Sequence, residues 1–169
     1  MLRAAADNHV RDGSFATTSF GSNTNMEVKW VGAPGYSRET YLQFDLTGVG
    51  PESGITSAKV RLFGRKLDTL VPSMTVGLHG VTGPAWDEST LTWNTKPAFG
   101  ASPLATRNIA GSAGAWYEFD ITNFLKEQKA AGATVVALAV RAQAISEGWA
   151  GFASDEAATD RPELVVTQA

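Results

Sequence analysis

The chain has 169 residues, 43% of them hydrophobic and 18% charged, which is the size and composition of one folded domain with its own core. A formal net charge of −3 gives no overall attraction to nucleic acid or anionic membranes, and no apolar run approaches the roughly 20 residues that span a bilayer. Cysteine is absent, which excludes disulfides, thiolate metal sites and a cysteine nucleophile.

In chain order, the segments between turn residues alternate apolar and polar positions with the period of a strand. Asp12–Asn25 and the Gly-containing Val31–Ser37 are the longest irregular pieces, and Lys29, beside Trp30, lies on a strand before the second of them. Over Tyr41–Leu46 the apolar set is Leu42, Phe44 and Leu46, which leaves Tyr41 and Gln43 facing outward. Lys59–Arg65 buries Val60 and Leu62 and turns Lys59, Arg61, Phe63 and Arg65 outward. Met74, Val76 and Leu78 alternate with Thr75, Gly77 and His79, and Tyr117, Phe119 and Ile121 with Trp116, Glu118 and Asp120. From Thr122 to Ala131 the spacing of Ile121, Phe124 and Leu125 changes to that of a short helix, capped by Asp120 or Thr122 and stopped by Gly132. Val136, Leu138 and Val140 form the next apolar set, with small outward residues Ala137 and Ala139 leading to Arg141, and a last strand runs from Glu163 to Thr167. The pattern reads as all-β, an antiparallel β-sandwich or barrel with one short helix, in a single domain spanning residues 1–169.

Catalytic signatures are missing. The sequence holds no nucleophile elbow, phosphate-binding loop, dinucleotide fingerprint or zinc-protease motif, and His9 and His79 stand far apart. The adjacent acids Asp87/Glu88 and Asp155/Glu156 point to opposite faces of an extended chain, so neither pair is itself a two-carboxylate centre. A binding or structural role is expected in place of an enzymatic one.

Five stretches in order resemble the DNRLRE-type domains, the group that includes family 96 carbohydrate-binding modules. They are Ala6–Ala16 (ADNHVRDGSFA), Tyr36–Leu46 (YSRETYLQFDL), Ile55–Leu62 (ITSAKVRL), Trp86–Pro97 (WDESTLTWNTKP) and Trp116–Thr122 (WYEFDIT). Ser19 departs from the usual Asn, and Asp155 from the usual Arg of an S-R-E-A run. The resemblance implies a β-jelly roll joined to a polysaccharide lyase or another secreted carbohydrate-active enzyme, binding an acidic polysaccharide such as alginate. It also implies that this chain is excised from a larger secreted protein, and a monomer is expected. The other reading is a structural or adhesive spacer of a cell-surface protein without a glycan site.

A uronate site needs aromatic faces for sugar C–H surfaces and forked donors for carboxylates, which arginine supplies bidentately. The candidates are Lys29, Tyr36, Arg38, Tyr41, Gln43, Arg141 and Trp149; the competing reading makes the cations solvated strand charges. A second basic group, Lys59, Arg61, Arg65 and Lys66 around Phe63, reads as solubilising charge. Trp86 and Trp93 read as packing residues. Calcium is the one cofactor expected, with Asp7, Asp12 and Asp155 as possible ligands. An Asx turn explains Asp12-Gly13 equally well without a metal.

Overall fold

The computed structural model describes residues 1–82 and 85–169. Among the described residues eleven strands form, all paired antiparallel: β1 (Leu2–Arg3), β2 (Ala6–Arg11), β3 (Asn25–Lys29), β4 (Arg38–Asp45), β5 (Ile55–Lys66), β6 (Ser73–Gly80), β7 (Ala105–Ala110), β8 (Ala115–Asp120), β9 (Val135–Ala142), β10 (Trp149–Ala153) and β11 (Glu163–Gln168). The one α-helix among the described residues, α1, spans Thr122–Ala130. Asp120 accepts the Thr122 N–H at its start (2.9 Å), and Gly132, at φ 80°, ends it.

The strands make the two layers of a β-sandwich of the expected jelly-roll type. One layer is built on β5, which pairs β8 along one edge and β11 and then β10 along the other, with β3 beyond β10 and β1 beyond β11. The other runs β2-β4-β9-β6-β7. A single pair, Lys29 with Arg38, joins β3 to β4 at one end, where the layers meet. The core between them comes from the inward positions the alternation marks, among them Val60, Leu62 and Phe119 against Leu42, Phe44, Leu138, Val140 and Leu78, joined by Phe152 of β10.

The Trp86–Pro97 run forms a third layer. It lies over the outer face of β2, β4 and β9, where Leu91 packs with Val10, Tyr41 and Ala139 beneath Trp86, Trp93 and Phe99. Polar side chains of the strands hold it down. Asn8 donates to the carbonyls of Glu88 (2.8 Å) and Leu91 (3.2 Å), and Gln43 to that of Trp86 (2.8 Å). Leu91→Ala should therefore lower unfolding free energy by about 2–5 kcal/mol, as for other buried leucines. Urea titration checks this, and a change below about 1 kcal/mol would mean that the layer is loosely held.

Candidate functional site

β3 and β4 part after the Lys29–Arg38 pair, and the Val31–Ser37 loop opens between them. Asp12 closes that loop, its Oδ1 accepting the N–H groups of Gly35 and Ser37 (both 2.9 Å). Gly13, at φ 64°, sits so close to the loop that a Cβ would lie 2.5 Å from the Gly35 nitrogen; only glycine permits that approach. The result is a cleft of about 210 Å³ whose lining includes Lys29, Trp30, Arg38, Glu39, Trp93 and Arg141.

The cations in it differ in how far they are already satisfied. Arg38 is buried; its Nε lies 2.8 Å from Glu27 as a charge contact, and Nη1 donates to the Tyr36 carbonyl (2.7 Å). Burial works against its charge, and Glu27 offsets that. Arg141 has a looser partner, Glu39 at 3.8 Å, and its guanidinium lies 5.1 Å from the Trp30 ring and 4.7 Å from the Phe99 ring. Lys96 takes Glu39 more closely, at 2.7 Å, while lying 3.7 Å from the Trp93 ring centre. Lys29, 5.5 Å from the Trp149 ring centre, has no ion-pair partner among the described residues. Cations over aromatic faces beside few carboxylates leave room for an incoming anion.

Trp149 is positioned from below. Its backbone N–H donates to Asp68 Oδ1 (2.6 Å), and its indole N–H to Glu27 (3.3 Å). Asp68 Oδ2 meets the buried Lys66 ammonium at 2.8 Å, and Lys66 also donates to the Val71 carbonyl. Burial works to raise the Asp68 pKa, but bonds from Lys66 and from the Trp149, Val71 and Leu70 N–H groups outweigh it and bring the carboxyl to about 2. Asp68→Ala strands the Lys66 charge, so it should cost about 3–5 kcal/mol in chemical denaturation. The folded pKa is depressed, so the Asp68 contribution is present above the ordinary 3.8 and lost as pH falls toward about 2. A variant as stable as the parent at pH 7 would show that the pair contributes nothing.

The structure brings Lys29, Arg38 and Arg141 into one cleft, with Trp149 beside them, whereas Tyr36 does not line it: its exposed side chain lies 6.0 Å from the Arg11 guanidinium. Tyr41 does not reach solvent and Gln43 is half-buried, which corrects their expected open placement. Tyr41 is fully buried, its hydroxyl donating to Glu39 (3.0 Å), and Gln43 is occupied with the Trp86 carbonyl. Their face points away from the main core as the alternation requires, but the third layer covers it. The same layer hides Ala139 while Ala137 stays half-exposed beside Gln43, so the small outward residues of β9 do not form one continuous floor. Lys66 likewise leaves the second basic group, because it faces inward to Asp68.

Residues not singled out for the site also line it: Trp30, Trp93 and Glu39 directly, with Lys96 against Trp93. The spacing of Trp93 and Lys96 within a Thr-rich turn was a signal of sorts, but only the fold shows the run lying across β4.

The expected metal ligands separate. Asp12 is committed to its loop and stands apart from the carboxylate group. Asp7 and Asp155 come together with Glu156, which was not proposed, so that oxygens of all three lie within 4.8 Å of one another. Asp7 Oδ2 accepts the Asp155 N–H (2.7 Å), while Asp7 Oδ1, Asn8 Oδ1, Asp155 Oδ1 and Glu156 Oε2 are buried without a hydrogen-bond partner. Burial, and then mutual repulsion, push the Asp7 carboxyl well above the carboxylate range; burial, Glu156 and Glu88 do the same to Asp155. Hard oxygen donors with unmet acceptors suit calcium.

The two histidines are not placed for acid–base work. His9 stacks on Phe20 at 4.5 Å, and burial lowers its pKa to about 4. His79 bonds the Gly100 carbonyl (2.7 Å) and Gln143 (3.0 Å).

A family model described as carbohydrate-binding module family 96 matches residues 1–168. The chain belongs to that family. It is thus a non-catalytic binding domain, in keeping with the missing catalytic motifs. Among characterised proteins the module is similar to a gellan lyase from Bacillus sp, 36% identical over 156 residues. That match takes in 89% of this chain but only 6% of the lyase, so the module spans a small part of the relative's length. A solved structure similar over 98% of this chain and 96% of its own is the CBM22-1 xylan-binding domain from Paenibacillus barcinonensis Xyn10C, at TM-score 0.42 and 7% identity.

Proposed function

We propose that this module binds an acidic polysaccharide, a polyuronate of the alginate type, and so holds a covalently attached polysaccharide lyase on its substrate outside the cell. The observation that carries the reading is the cleft in which Lys29 has no carboxylate partner among the described residues and Arg141 only a distant one, among Trp30, Trp93 and Trp149. A uronate carboxylate would take a forked pair of hydrogen bonds from Arg141 and a charge contact from Lys29. The apolar face of the sugar would lie on an indole, and Glu39 would accept from its hydroxyls. The net charge of −3 does not oppose this, since binding is local. The similarity to a gellan lyase supports the attachment to a lyase. Native electrophoresis in gels containing alginate should retard the protein, with less retardation at high salt, while neutral gels such as hydroxyethyl cellulose should not. Equal mobility in all gels would overturn the reading and favour the spacer role.

We further infer that a calcium ion sits among Asp7, Asp155 and Glu156, where it neutralises their repulsion and ties the Ser154 turn to β2. The buried, unpartnered oxygens of Asp7 and Asn8 support this placement.

A further inference from the structure

The module has a second cleft, on the outer face of the β5-containing layer, with a volume of about 390 Å³. Its composition contrasts with that of the basic cleft. Phe63 and Arg65, outward neighbours on β5, form one wall, and the Ala157–Asp160 segment and Asn25 form the others. The floor is Gly151 and Ala153, outward positions of β10 with little or no side chain of their own, and the Leu67 side chain lies over Gly151 at its edge. Phe63 is held edge-on by Trp116 (5.5 Å, 66°), whose ring in turn carries the Arg61 guanidinium at 4.6 Å. Among the described residues the Arg65 guanidinium and the Asn25 amide make no hydrogen bond or ion pair within the protein, and both are exposed. A held aromatic ring over a flat floor, rimmed by a free amide, a free guanidinium and the Asp160 carboxylate, matches a ligand with an apolar C–H face and several hydroxyls.

We infer that this cleft is a second glycan subsite, which takes a neutral pyranose through stacking on Phe63 and hydroxyl contacts to Asn25, Arg65 and Asp160. The occupant is chosen by charge balance and by continuity with the basic cleft. One cation and one carboxylate line the second cleft, so it carries no excess charge for a uronate. The two clefts lie at opposite ends of the same pair of strands: Lys29 pairs with Trp149 at one end, and Asn25 with Ala153 at the other, with both β3 residues on the outer face. Four residue steps of strand separate them, about 13 Å, the span of a short oligosaccharide. The path crosses Leu67, whose side chain covers Gly151 (2.8 Å from where a Cβ would stand) and offers another apolar contact for a sugar face. A chain with acidic and neutral residues could then engage both clefts, and affinity would rise with length through effective concentration.

The subsite rests on the glycan-binding reading above but is tested apart from it, with neutral probes. Cellotetraose and mannotetraose, each titrated to millimolar concentration against the ¹⁵N-labelled protein, should shift the amides of Gly64, Gly114, Gly151 and Ala153. The same shifts should persist in a Lys29→Ala/Arg141→Ala variant, whatever that variant does in alginate gels. Phe63→Ala should weaken the response at least tenfold, and Arg65→Ala, which alters only an exposed side chain, should weaken it with the fold intact. Silence of those amides toward both saccharides overturns the proposal, as does an unchanged response in both the Phe63 and Arg65 variants.

Discussion

Replacing Lys29 and Arg141 together with alanine is expected to remove retardation in alginate gels and to lower polyuronate affinity on the order of a hundredfold. Hydrogen bonds to charged groups contribute roughly 1.5–3 kcal/mol each, and about 1.4 kcal/mol is tenfold in affinity. Two such contacts therefore carry most of a weak saccharide interaction. The pair is chosen because removing it strands little inside the protein. Lys29 has no ion-pair partner among the described residues, and Arg141 stands 3.8 Å from a Glu39 that keeps Lys96 at 2.7 Å. The melting temperature should stay within a few degrees of the parent, and titration calorimetry reads the affinity. Unchanged affinity would remove the cleft from the binding reaction. Arg38→Ala makes a poorer test, since it deprives Glu27 of its close partner and mixes lost binding with lost stability.

Chelation is expected to produce the other large effect. If calcium is present at about a hundred times its dissociation constant, it adds about 2.7 kcal/mol to folding. For a chain of this length that corresponds to roughly 5–10 °C in melting temperature. The pH dependence identifies the site. In the cation-free protein the Asp7 and Asp155 carboxyls have folded pKa values raised above the ordinary 3.8. The folded state thus holds protons that the unfolded chain releases, and their contribution is fully present below 3.8 and lost as pH rises through neutrality. Cation-free protein should lose stability from pH 5 to 8, while the gain on adding calcium should grow over the same range, because the ion displaces those protons. Asp7→Asn should abolish the calcium response and raise the cation-free melting temperature at pH 8, because it removes a carboxyl whose charge is opposed by burial and then by its acidic neighbours. Scanning calorimetry with EDTA or calcium at each pH decides this; a calcium-insensitive parent at pH 8 would sink the assignment.

Much of the architecture was legible in the residues themselves. Val60 and Leu62, Leu138 and Val140, and Phe119 are core residues because strand alternation is a local consequence of backbone geometry and needs no knowledge of neighbours. The helix after Asp120 was legible for the same reason. Lys29, Arg38 and Arg141 could be nominated as a site from charge type and placement on strands. Asp7 and Asp155 could be nominated as cation ligands only by residue type, since 148 positions separate them.

Tertiary structure alone decided which outward faces stay outward. Tyr41, Gln43 and Ala139 obey the alternation, yet the Trp86–Pro97 run lies across them, because that segment's own apolar side chains need a surface to cover. The run that marks the family in the sequence is therefore both framework and wall: Leu91 seals the third layer, while Trp93 lines the basic cleft. Likewise Lys66 and Arg65 are neighbours on one strand, but one meets a buried Asp68 and the other solvent. Local sequence determined the period of each strand, whereas contacts between distant segments determined what each face meets. A ligand site depends on the second.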